Sequence, residues 1–305
     1  MKRLIIVYSP NSTRFSEVEK KVIEKSRKLK GWMVAKYLVK EAPVQENARD
    51  LAKLIRKGDL VLSAGGDGAA TMSMNAIIKS GEIATLAVMP FGNFNDFAET
   101  LGRMTFEKLI RKFEEGRYDE FYPLDIKVNG KHYVYSGLYF TAGMMAEAAR
   151  VMKRRSVRRK LKKAKNRMSF SARKMFSWYI KNKWRKDLLP SDMKLNGKKV
   201  AKNSTDYVAM NGASMAGVVP GGVWYRSARQ FWSGMMRNRS FLRMLKSFLV
   251  SLGGQLPGKE SRGDTITFAK PSNVFVHAEG EGGELKDVSE ICVSKSGKGL
   301  RVIRA

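Results

Sequence analysis

A glycine-rich turn at residues 65–68 is the stretch of this sequence best suited to chemistry. The apolar run Leu60–Leu62 is typical of a short buried strand, and it leads into Gly65-Gly66-Asp67-Gly68 before a predicted helix. Glycines at such a turn leave backbone N–H groups accessible to a phosphate. The Asp67 carboxylate would repel a phosphate unless a cation lay between them. We therefore expect Asp67 to be either a ligand on the magnesium side of a phosphate site or a residue that caps the loop.

Two further polar turns follow predicted strands. Strand Leu4–Tyr8 leads into Ser9–Thr13, which contains Asn11, and strand Ile83–Met89 leads into Pro90–Asp96. Open parallel sheets bind their ligands at the edge where the carboxyl ends of the strands lie. We expect the three turns to converge at that edge.

The first 120 residues alternate predicted strands with predicted helices, and the strands are apolar throughout. This pattern indicates an α/β nucleotide-binding domain at residues 1–120, with a parallel sheet covered on both faces. Residues 121–305 are predicted to form a β-rich, largely antiparallel domain, whose last strands either complete it or return to the first domain. The predicted helices are Phe15–Leu29, Val44–Lys57, Ala69–Lys79 and Thr105–Glu115, and the predicted strands of the second part are Phe121–Val128, Lys131–Thr141, Asp206–Met210, Thr265–Phe268, Asn273–His277, Ile291–Ser294 and Leu300–Ile303.

The composition is that of a globular protein with an unusual charge. Hydrophobic residues make up 43% of the 305 residues, while 58 basic side chains outnumber 28 acidic ones to give a net charge of +30. Such an excess favours phosphate-rich partners, either nucleic acid or an anionic membrane face. Cys292 is the single cysteine of the sequence, so no intrachain disulfide is possible and a reducing cytoplasm is expected.

A basic segment at residues 150–186 holds seventeen Lys or Arg and no Asp or Glu, with aromatic residues interleaved. A segment of this kind fits an anionic membrane interface, the phosphates of a nucleic acid, or a solvated helix face. We favour the membrane, with Trp and Phe inserted among the headgroups. The apolar stretch Phe231–Leu252, which four basic residues interrupt, is expected to lie on the same membrane surface and not to span it.

Three motifs resemble the diacylglycerol kinase catalytic domain family of lipid kinases, which also includes sphingosine and ceramide kinases. They are Gly65-Gly66-Asp67-Gly68, the run Pro90-x-Gly92-x-x-Asn95-Asp96-Phe97-Ala98 followed by Leu101-Gly102, and Glu279-Gly280-Glu281. NAD kinases and phosphofructokinases share the first motif, whereas the second motif is far more specific. The resemblance extends from the Ser9 turn to Glu281.

The resemblance implies an active site in a cleft between two domains, with ATP and Mg²⁺ as cofactors. It places Asp67, Asp96 and Asp125 in a magnesium network. Glu279 would be the general base that takes the proton of the lipid hydroxyl, with Glu281 in support. The implied nucleotide-binding residues are Asn11, Gly65, Gly66, Asp67, Gly68, Pro90, Gly92 and Asn95.

Several positions depart from the family pattern. Ala69 and Met72 stand where relatives carry threonine and glutamate, and Asn93 and Phe94 replace a threonine and a small residue. Glu279 replaces the aspartate of the usual Asp-Gly-Glu motif, and Ser233-Gly234 stands where many relatives carry Asp-Gly. The last change argues against the family's second, structural metal site, and the others leave open an altered nucleotide preference or a loss of catalysis.

The sequence therefore predicts a cytoplasmic lipid kinase, peripheral to the inner face of the membrane, that acts on a diacylglycerol-like or sphingoid lipid. The alternative is a catalytically degenerate protein of the same fold that binds anionic lipid or nucleic acid through its basic segment. NAD kinase fits the second motif poorly. Of the two histidines, His277 is expected to be structural although it lies beside a motif, and His132 is expected to be solvent-exposed.

Overall fold

A computed structural model describes residues 1–10, 12, 14–92, 95–152, 156–157, 160, 167–182, 192–201, 204–215, 219–220, 226–236, 258–278 and 281–305. The chain divides into two compact units. Unit 1 comprises residues 1–123 and 296–305, and unit 2 comprises residues 124–295. The last strand of the chain, Leu300–Val302, therefore belongs to the first unit.

Unit 1 is built on a six-stranded sheet in the order β2-β1-β3-β4-β18-β5. Every pair of neighbours is parallel except β18 and β5, which are antiparallel. Strand β3 is buried along its whole length, as expected of a parallel strand covered on both faces. The strands are β1 (Lys2–Tyr8), β2 (Trp32–Leu38), β3 (Leu60–Gly65), β4 (Thr85–Pro90), β5 (Asp119–Phe121) and β18 (Leu300–Val302).

The helices of unit 1 connect these strands and agree broadly with the predicted ones. The first runs as α1 (Phe15–Val18), a π-helical turn (Glu19–Ile23) and α2 (Glu24–Ser26); it is followed by α3 (Val44–Ala52), α4 (Asp67–Ser80), α5 (Asp96–Leu101) and α6 (Phe106–Glu114). Helix α3 ends five residues before the predicted end. There the Asp59 carboxylate accepts hydrogen bonds from the Arg56 backbone N–H at 2.8 Å and the Arg3 guanidinium at 3.0 Å, which fixes a turn before β3.

Unit 2 is built on a large antiparallel sheet whose described strands run in the order β15-β14-β11-β8-β16-β17-β6-β7, with β9 pairing both β10 and β16. A parallel α/β sheet and an antiparallel β sheet were predicted for the two parts, and this fold class is confirmed. The strands are β6 (Leu124–Val128), β7 (Lys131–Ser136), β8 (Tyr139–Gly143), β9 (Lys194–Leu195), β10 (Lys198–Lys199), β11 (Asp206–Met210), the separate pair β12 (Ser214–Met215) and β13 (Val219–Pro220), then β14 (Phe231–Met236), β15 (Lys259–Ser261), β16 (Gly263–Ala278) and β17 (Glu281–Lys295).

Three predicted strand boundaries in this part are wrong. The predicted strand 121–128 is interrupted at Pro123, and its two pieces, β5 and β6, belong to different sheets. The predicted strand 131–141 divides into β7 and β8 at a turn through Gly137 and Leu138. The predicted strands 265–268 and 273–277 form one long strand, β16, whose pairing with β17 shifts register between Thr267 and Val274. Local patterns miss such features because irregular pairing depends on the partner strand.

One face of the unit 2 sheet forms the main core, and helices cover part of the other. Helices α7 (Met144–Met152) and α8 (Arg167–Asn182) lie on that second face. Trp178 and Ile180 of α8 pack against a small cluster of Met144, Ala146 and Phe275. Trp178 is thus partly buried against unit 2, and membrane insertion of the aromatic residues of the basic segment stays a prediction.

The apolar stretch 231–252 begins as strand β14, where Phe231, Trp232 and Met236 are buried. The expected membrane-facing surface is thus wrong for the buried residues of β14, which lies between β11 and β15 in the sheet. Residues 237–252 lie outside the described part. Among the described residues, no helix combines the length and the apolar character needed to cross a membrane.

Candidate functional site

The predicted phosphate loop forms the connection between β3 and α4. Gly66 is the N-cap of α4 and contributes no side chain to cap the helix, while Asp67 is its first residue. The first hydrogen bonds of the helix join the Ala69 and Ala70 N–H groups to the Gly66 carbonyl at 3.0 and 3.2 Å. A helix start of this kind has a positive dipole end that favours an anion and the Asp67 carboxylate alike.

Two glycines allow the β3–α4 loop and the loop after β4 to touch through their backbones. A Cβ atom placed on Gly92 would lie 2.5 Å from the Cα of Gly66, and a Cβ on Gly66 would lie 3.1 Å from the Cα of Gly92. The first distance is shorter than real Cβ contacts. Gly66 and Gly92 are therefore required by the packing of two loops, whether or not a phosphate is bound.

Asn95 fixes the shape of the second loop. Its backbone adopts a left-handed conformation with φ of 58°, which asparagine tolerates better than most residues. The side-chain Oδ1 accepts a hydrogen bond from the Gly92 N–H at 2.7 Å, and Nδ2 donates to the Gly92 carbonyl at 3.1 Å. The buried amide of Asn95 thus closes the loop on itself.

The carboxylate of Asp67 joins the two loops a second time. Its Oδ1 accepts a hydrogen bond from the Phe97 backbone N–H at 2.8 Å, in the first turn of α5. Asp96, the first residue of α5, is almost fully buried. Asp67 therefore caps the neighbouring loop, which was one of the two roles expected for it.

The first polar turn lies against the other two. The Arg14 N–H donates to the Phe91 carbonyl at 3.1 Å, and its guanidinium donates to the Pro90 carbonyl and lies 5.6 Å from the centroid of the Phe91 ring. The Ser12 hydroxyl lies 3.4 Å from where a Cβ of Gly65 would be. The predicted convergence of the three turns is confirmed, while Asn11, Asn93 and Phe94 lie outside the described residues.

Asp125, the third aspartate of the predicted network, lies on β6 in unit 2. Its Oδ1 is 2.7 Å from Nδ1 of His132 on β7, and its Oδ2 is 4.0 Å from the Lys127 ammonium. The ring centroids of His132 and Tyr135 are 4.3 Å apart. Burial, and then the nearby Asp125 charge, raise the pKa of the Tyr135 hydroxyl. The predicted exposure of His132 is confirmed, since 43% of its side chain is accessible.

The predicted base motif lies at the turn between β16 and β17. Glu281 pairs with Ala278 across the two strands, and Glu279 and Gly280 lie between them in the sequence. Both of these residues lie outside the described part, as does the side chain of Glu281. His277 is buried in the central strand β16, with its ring 5.8 Å from that of Tyr139.

A buried polar network surrounds residue 233, one of the positions that depart from the pattern of the family the sequence resembles. The Tyr207 hydroxyl donates to the Asp264 carboxylate at 2.8 Å, and Ser233 also hydrogen-bonds Tyr207. Burial first, then the Asp264 charge, place the pKa of the Tyr207 hydroxyl well above its ordinary value. Asn196 and Ser261 complete the set of donors to Asp264 at 2.8 and 2.9 Å.

The ligands expected at the predicted metal site are all carboxylates. Asp67 and Asp96 supply carboxylates in unit 1 and Asp125 supplies one in unit 2, while both histidines and the cysteine of the sequence belong to unit 2. Within the described ranges, no three side chains of the His, Cys, Asp and Glu types form a metal-binding group. Mg²⁺ usually binds one or two carboxylates together with substrate phosphates and waters, so the two carboxylates of unit 1, Asp67 and Asp96, fit a nucleotide-bound Mg²⁺.

Sequence reasoning missed three contacts that shape these regions. The Arg14 guanidinium binds the Pro90 carbonyl, the His132 imidazole binds Asp125, and the buried Lys295 ammonium donates to the Asn211 side chain. Burial lowers the pKa of Lys295 to about 7. A lysine flanked by serines at the end of an apolar run gives no local signal of burial, because the strand partners decide its environment.

Comparisons with known proteins agree with the resemblance of the motifs. Residues 3–122 match the family model described as diacylglycerol kinase catalytic domain. A protein of Bacillus subtilis (strain 168) named diacylglycerol kinase is 31% identical over 137 residues, which cover 44% of this chain and 44% of that protein. The alignment thus spans less than half the length of this relative.

Solved structures extend the likeness of the fold to the whole chain. Two structures from Bacillus anthracis str. Sterne, each described as a putative diacylglycerol kinase, superpose with TM-scores of 0.64 and 0.67 at 15% identity. Each comparison covers 100% of this chain, and 98% and 97% of the respective solved chains. At this level of identity the likeness concerns the fold.

Proposed function

We propose that this chain, whose residues 3–122 match the model of the diacylglycerol kinase catalytic domain family, is a lipid kinase. The proposed reaction transfers the γ-phosphoryl group of ATP, with Mg²⁺, to a hydroxyl of a diacylglycerol-like or sphingoid lipid at a membrane surface. The observation that carries the proposal is the clamp between the β3–α4 loop and the Pro90–Asp96 loop. Gly66, Gly92 and the Asp67–Phe97 hydrogen bond hold this clamp together.

Phosphoryl transfer demands positioning and neutralisation of charge more than covalent chemistry from the protein. The N–H groups at the start of α4 are suited to bind phosphate oxygens, with Asn11, Gly65, Gly68 and Pro90 shaping the nucleotide site beside them. Asp67, Asp96 and Asp125 would hold the magnesium ion. When bound, this ion supplies positive charge that offsets the negative charge of the transferred phosphoryl group.

Glu279 is the proposed general base, with Glu281 in support. A glutamate carboxylate can accept the proton of an acceptor hydroxyl as that oxygen attacks the γ-phosphorus. Its extra methylene relative to aspartate extends the reach of the carboxylate.

We place the reaction at the cytoplasmic face of an anionic membrane. Helix α8 packs Trp178 and Ile180 against unit 2, while Lys174 and Lys181 are exposed. Adsorption through charge therefore suits α8 better than insertion of its tryptophan. Each Lys near an anionic surface contributes about 1 kcal/mol to binding, and the net charge of +30 supports the same attraction.

The test is an assay of lipid phosphorylation with ATP and Mg²⁺ against diacylglycerols, sphingoid bases and ceramides presented in anionic vesicles. We expect one lipid class to be phosphorylated, and Asp67→Asn to lower kcat at least about a hundredfold, as removal of a charge-stabilising group does elsewhere. Asparagine can still accept the Phe97 N–H bond, so the loop clamp should persist. Absence of transfer to every lipid, together with salt-sensitive binding of anionic vesicles or nucleic acid, would instead support the catalytically degenerate alternative.

A further inference from the structure

The hairpin of β6 and β7 contains a β-bulge next to Asp125. Ile126 pairs with Val134, but the next residue of β6, Lys127, pairs with His132, so Tyr133 is an extra residue on β7. Bulges redirect side chains and are frequent beside active sites. This bulge decides which face of the sheet His132 occupies.

Side chains alternate between the two faces of a regular strand. Without the bulge, His132 would share a face with Val134, which is buried in the main core of unit 2. The extra residue instead packs Tyr133 against that core and places His132 opposite Lys127. Since Asp125 and Lys127 are two residues apart on one strand, His132 reaches the face of Asp125.

The contact has a defined hydrogen-bond direction. An ionised carboxylate only accepts hydrogen bonds, so Nδ1 of His132 carries the proton that it donates to Oδ1 of Asp125 across 2.7 Å. The neighbouring Tyr135 ring restrains the imidazole from a second side. The Asp125 carboxylate, 17% accessible, is thereby held in one orientation.

We propose that His132 is a positioning residue that orients Asp125 for the magnesium-bound nucleotide. The inference rests on the proposed function, because Asp125, the partner of His132, is a magnesium ligand only in that proposal. Carboxylates that bind metals are themselves held by hydrogen bonds, and loss of such a partner lowers metal affinity or activity about 10- to 100-fold. His132 touches neither substrate nor metal in this account.

The test measures binding of Mn²⁺ to the full chain by electron paramagnetic resonance, in the presence of a non-hydrolysable ATP analogue. His132→Ala should weaken Mn²⁺ binding about tenfold or more. His132→Asn should recover most of the loss, since its Nδ2 lies near the position of the histidine Nδ1. Circular dichroism and thermal unfolding would establish that each variant is folded.

Lys127→Ala is the matched control, because it removes a charged neighbour of Asp125 that lies 4.0 Å away on the same hairpin. It should leave Mn²⁺ binding unchanged or slightly stronger. Equal loss in Lys127→Ala and His132→Ala, or no loss in Asp125→Asn, would overturn the inference. If the wild-type chain phosphorylates no lipid but His132→Ala still weakens Mn²⁺ binding, the proposed function fails and the positioning role stands. An active wild type with unaltered Mn²⁺ binding in His132→Ala refutes only the positioning role.

Discussion

Gly66 and Gly92 touch through their main chains, and a side chain on Gly92 would place its Cβ 2.5 Å from the Cα of Gly66. The family motifs that contain these two glycines therefore meet in one contact. Gly66 and Gly92 are 26 residues apart in the sequence, so no local pattern could reveal the contact itself.

Gly92→Ala should destabilise unit 1 because neither loop backbone can move away without breaking the hydrogen bonds of Asn95 and Asp67. We expect a loss of about 1–3 kcal/mol in the free energy of unfolding, with weaker binding of nucleotide. Urea unfolding and nucleotide titration would measure both. Gly297→Ala is the matched control in the same unit, since its Cβ would meet nothing within 4 Å. It should change stability by less than about 0.5 kcal/mol; equal losses in the two variants would contradict the packing argument.

Two substitutions at Asn95 separate the energetic effect of its left-handed backbone from that of its side-chain hydrogen bonds. Asn95→Gly keeps the left-handed backbone accessible but loses both bonds to Gly92, so it should cost about 1–3 kcal/mol. Asn95→Ala loses the same bonds and adds the strain of a left-handed alanine, roughly 1 kcal/mol more. Chemical unfolding of the three proteins checks the order. Alanine proving as stable as glycine would show that the φ of 58° is not maintained in solution.

Lys295 should make the stability of unit 2 depend on pH. Its pKa falls from 10.5 in the unfolded chain to about 7 because of burial, so between these values the unfolded chain binds a proton that the folded chain lacks. The free energy of unfolding therefore rises with pH across this window, by up to about 1.4 kcal/mol per pH unit. The loss of folding free energy caused by burying Lys295 has its full size below pH 7 and disappears above the pKa of 10.5 in the unfolded chain.

Urea unfolding of the wild type and Lys295→Met at several pH values between 7 and 9.5 tests this expectation. The difference in unfolding free energy between the two proteins isolates the lysine from other titrating groups, and it should change steadily with pH in favour of the wild type. The substitution also removes the donor to Asn211, but that cost does not vary with pH. If the unfolding free energies of the wild type and Lys295→Met changed with pH in parallel, Lys295 would not be buried as a neutral amine in the folded chain.

Neutralising the exposed face of α8 should weaken membrane adsorption. The double variant Lys174→Gln, Lys181→Gln removes two charges, worth about 2 kcal/mol or roughly thirtyfold in affinity for anionic vesicles at low salt. Vesicle sedimentation at several salt concentrations would measure the effect. Lys28→Gln, Lys57→Gln is a control of equal charge, because both lysines are exposed on unit 1. Equal weakening by the two pairs would assign the attraction to net charge and not to α8.

The sequence predicted what depends on local pattern. Alternating strands and helices identified the parallel sheet of unit 1, Asp206–Met210 was predicted with its observed bounds, and the three polar turns were expected to converge. These features follow from apolar periodicity and from the position of turn residues. Residues 3–122 also match the model of the family that the motifs resemble.

The features that the sequence did not predict depend on partners far along the chain. His132 and Val134 are two residues apart, so a regular strand would place both side chains on the same face. Only the register shift against β6 reveals that they lie on opposite faces. Trp178 in a basic segment suggested a membrane anchor, whereas its packing against the Phe275 cluster follows from the tertiary fold. The same holds for Phe231 and Trp232, whose hydrophobicity serves the core of unit 2.

The central claim is that this chain catalyses phosphoryl transfer to a lipid hydroxyl with Glu279 as base. Its most direct test follows radiolabel from [γ-³²P]ATP into lipid extracted from anionic vesicles, for the wild type and for the Glu279→Ala, Glu281→Ala double variant. The account predicts labelled lipid with the wild type and a loss of about 100-fold or more with the variant, while nucleotide binding is retained. Labelled lipid formed at an unchanged rate by the variant would contradict the assignment of the base, and no labelled lipid with the wild type would contradict the claim of lipid kinase activity.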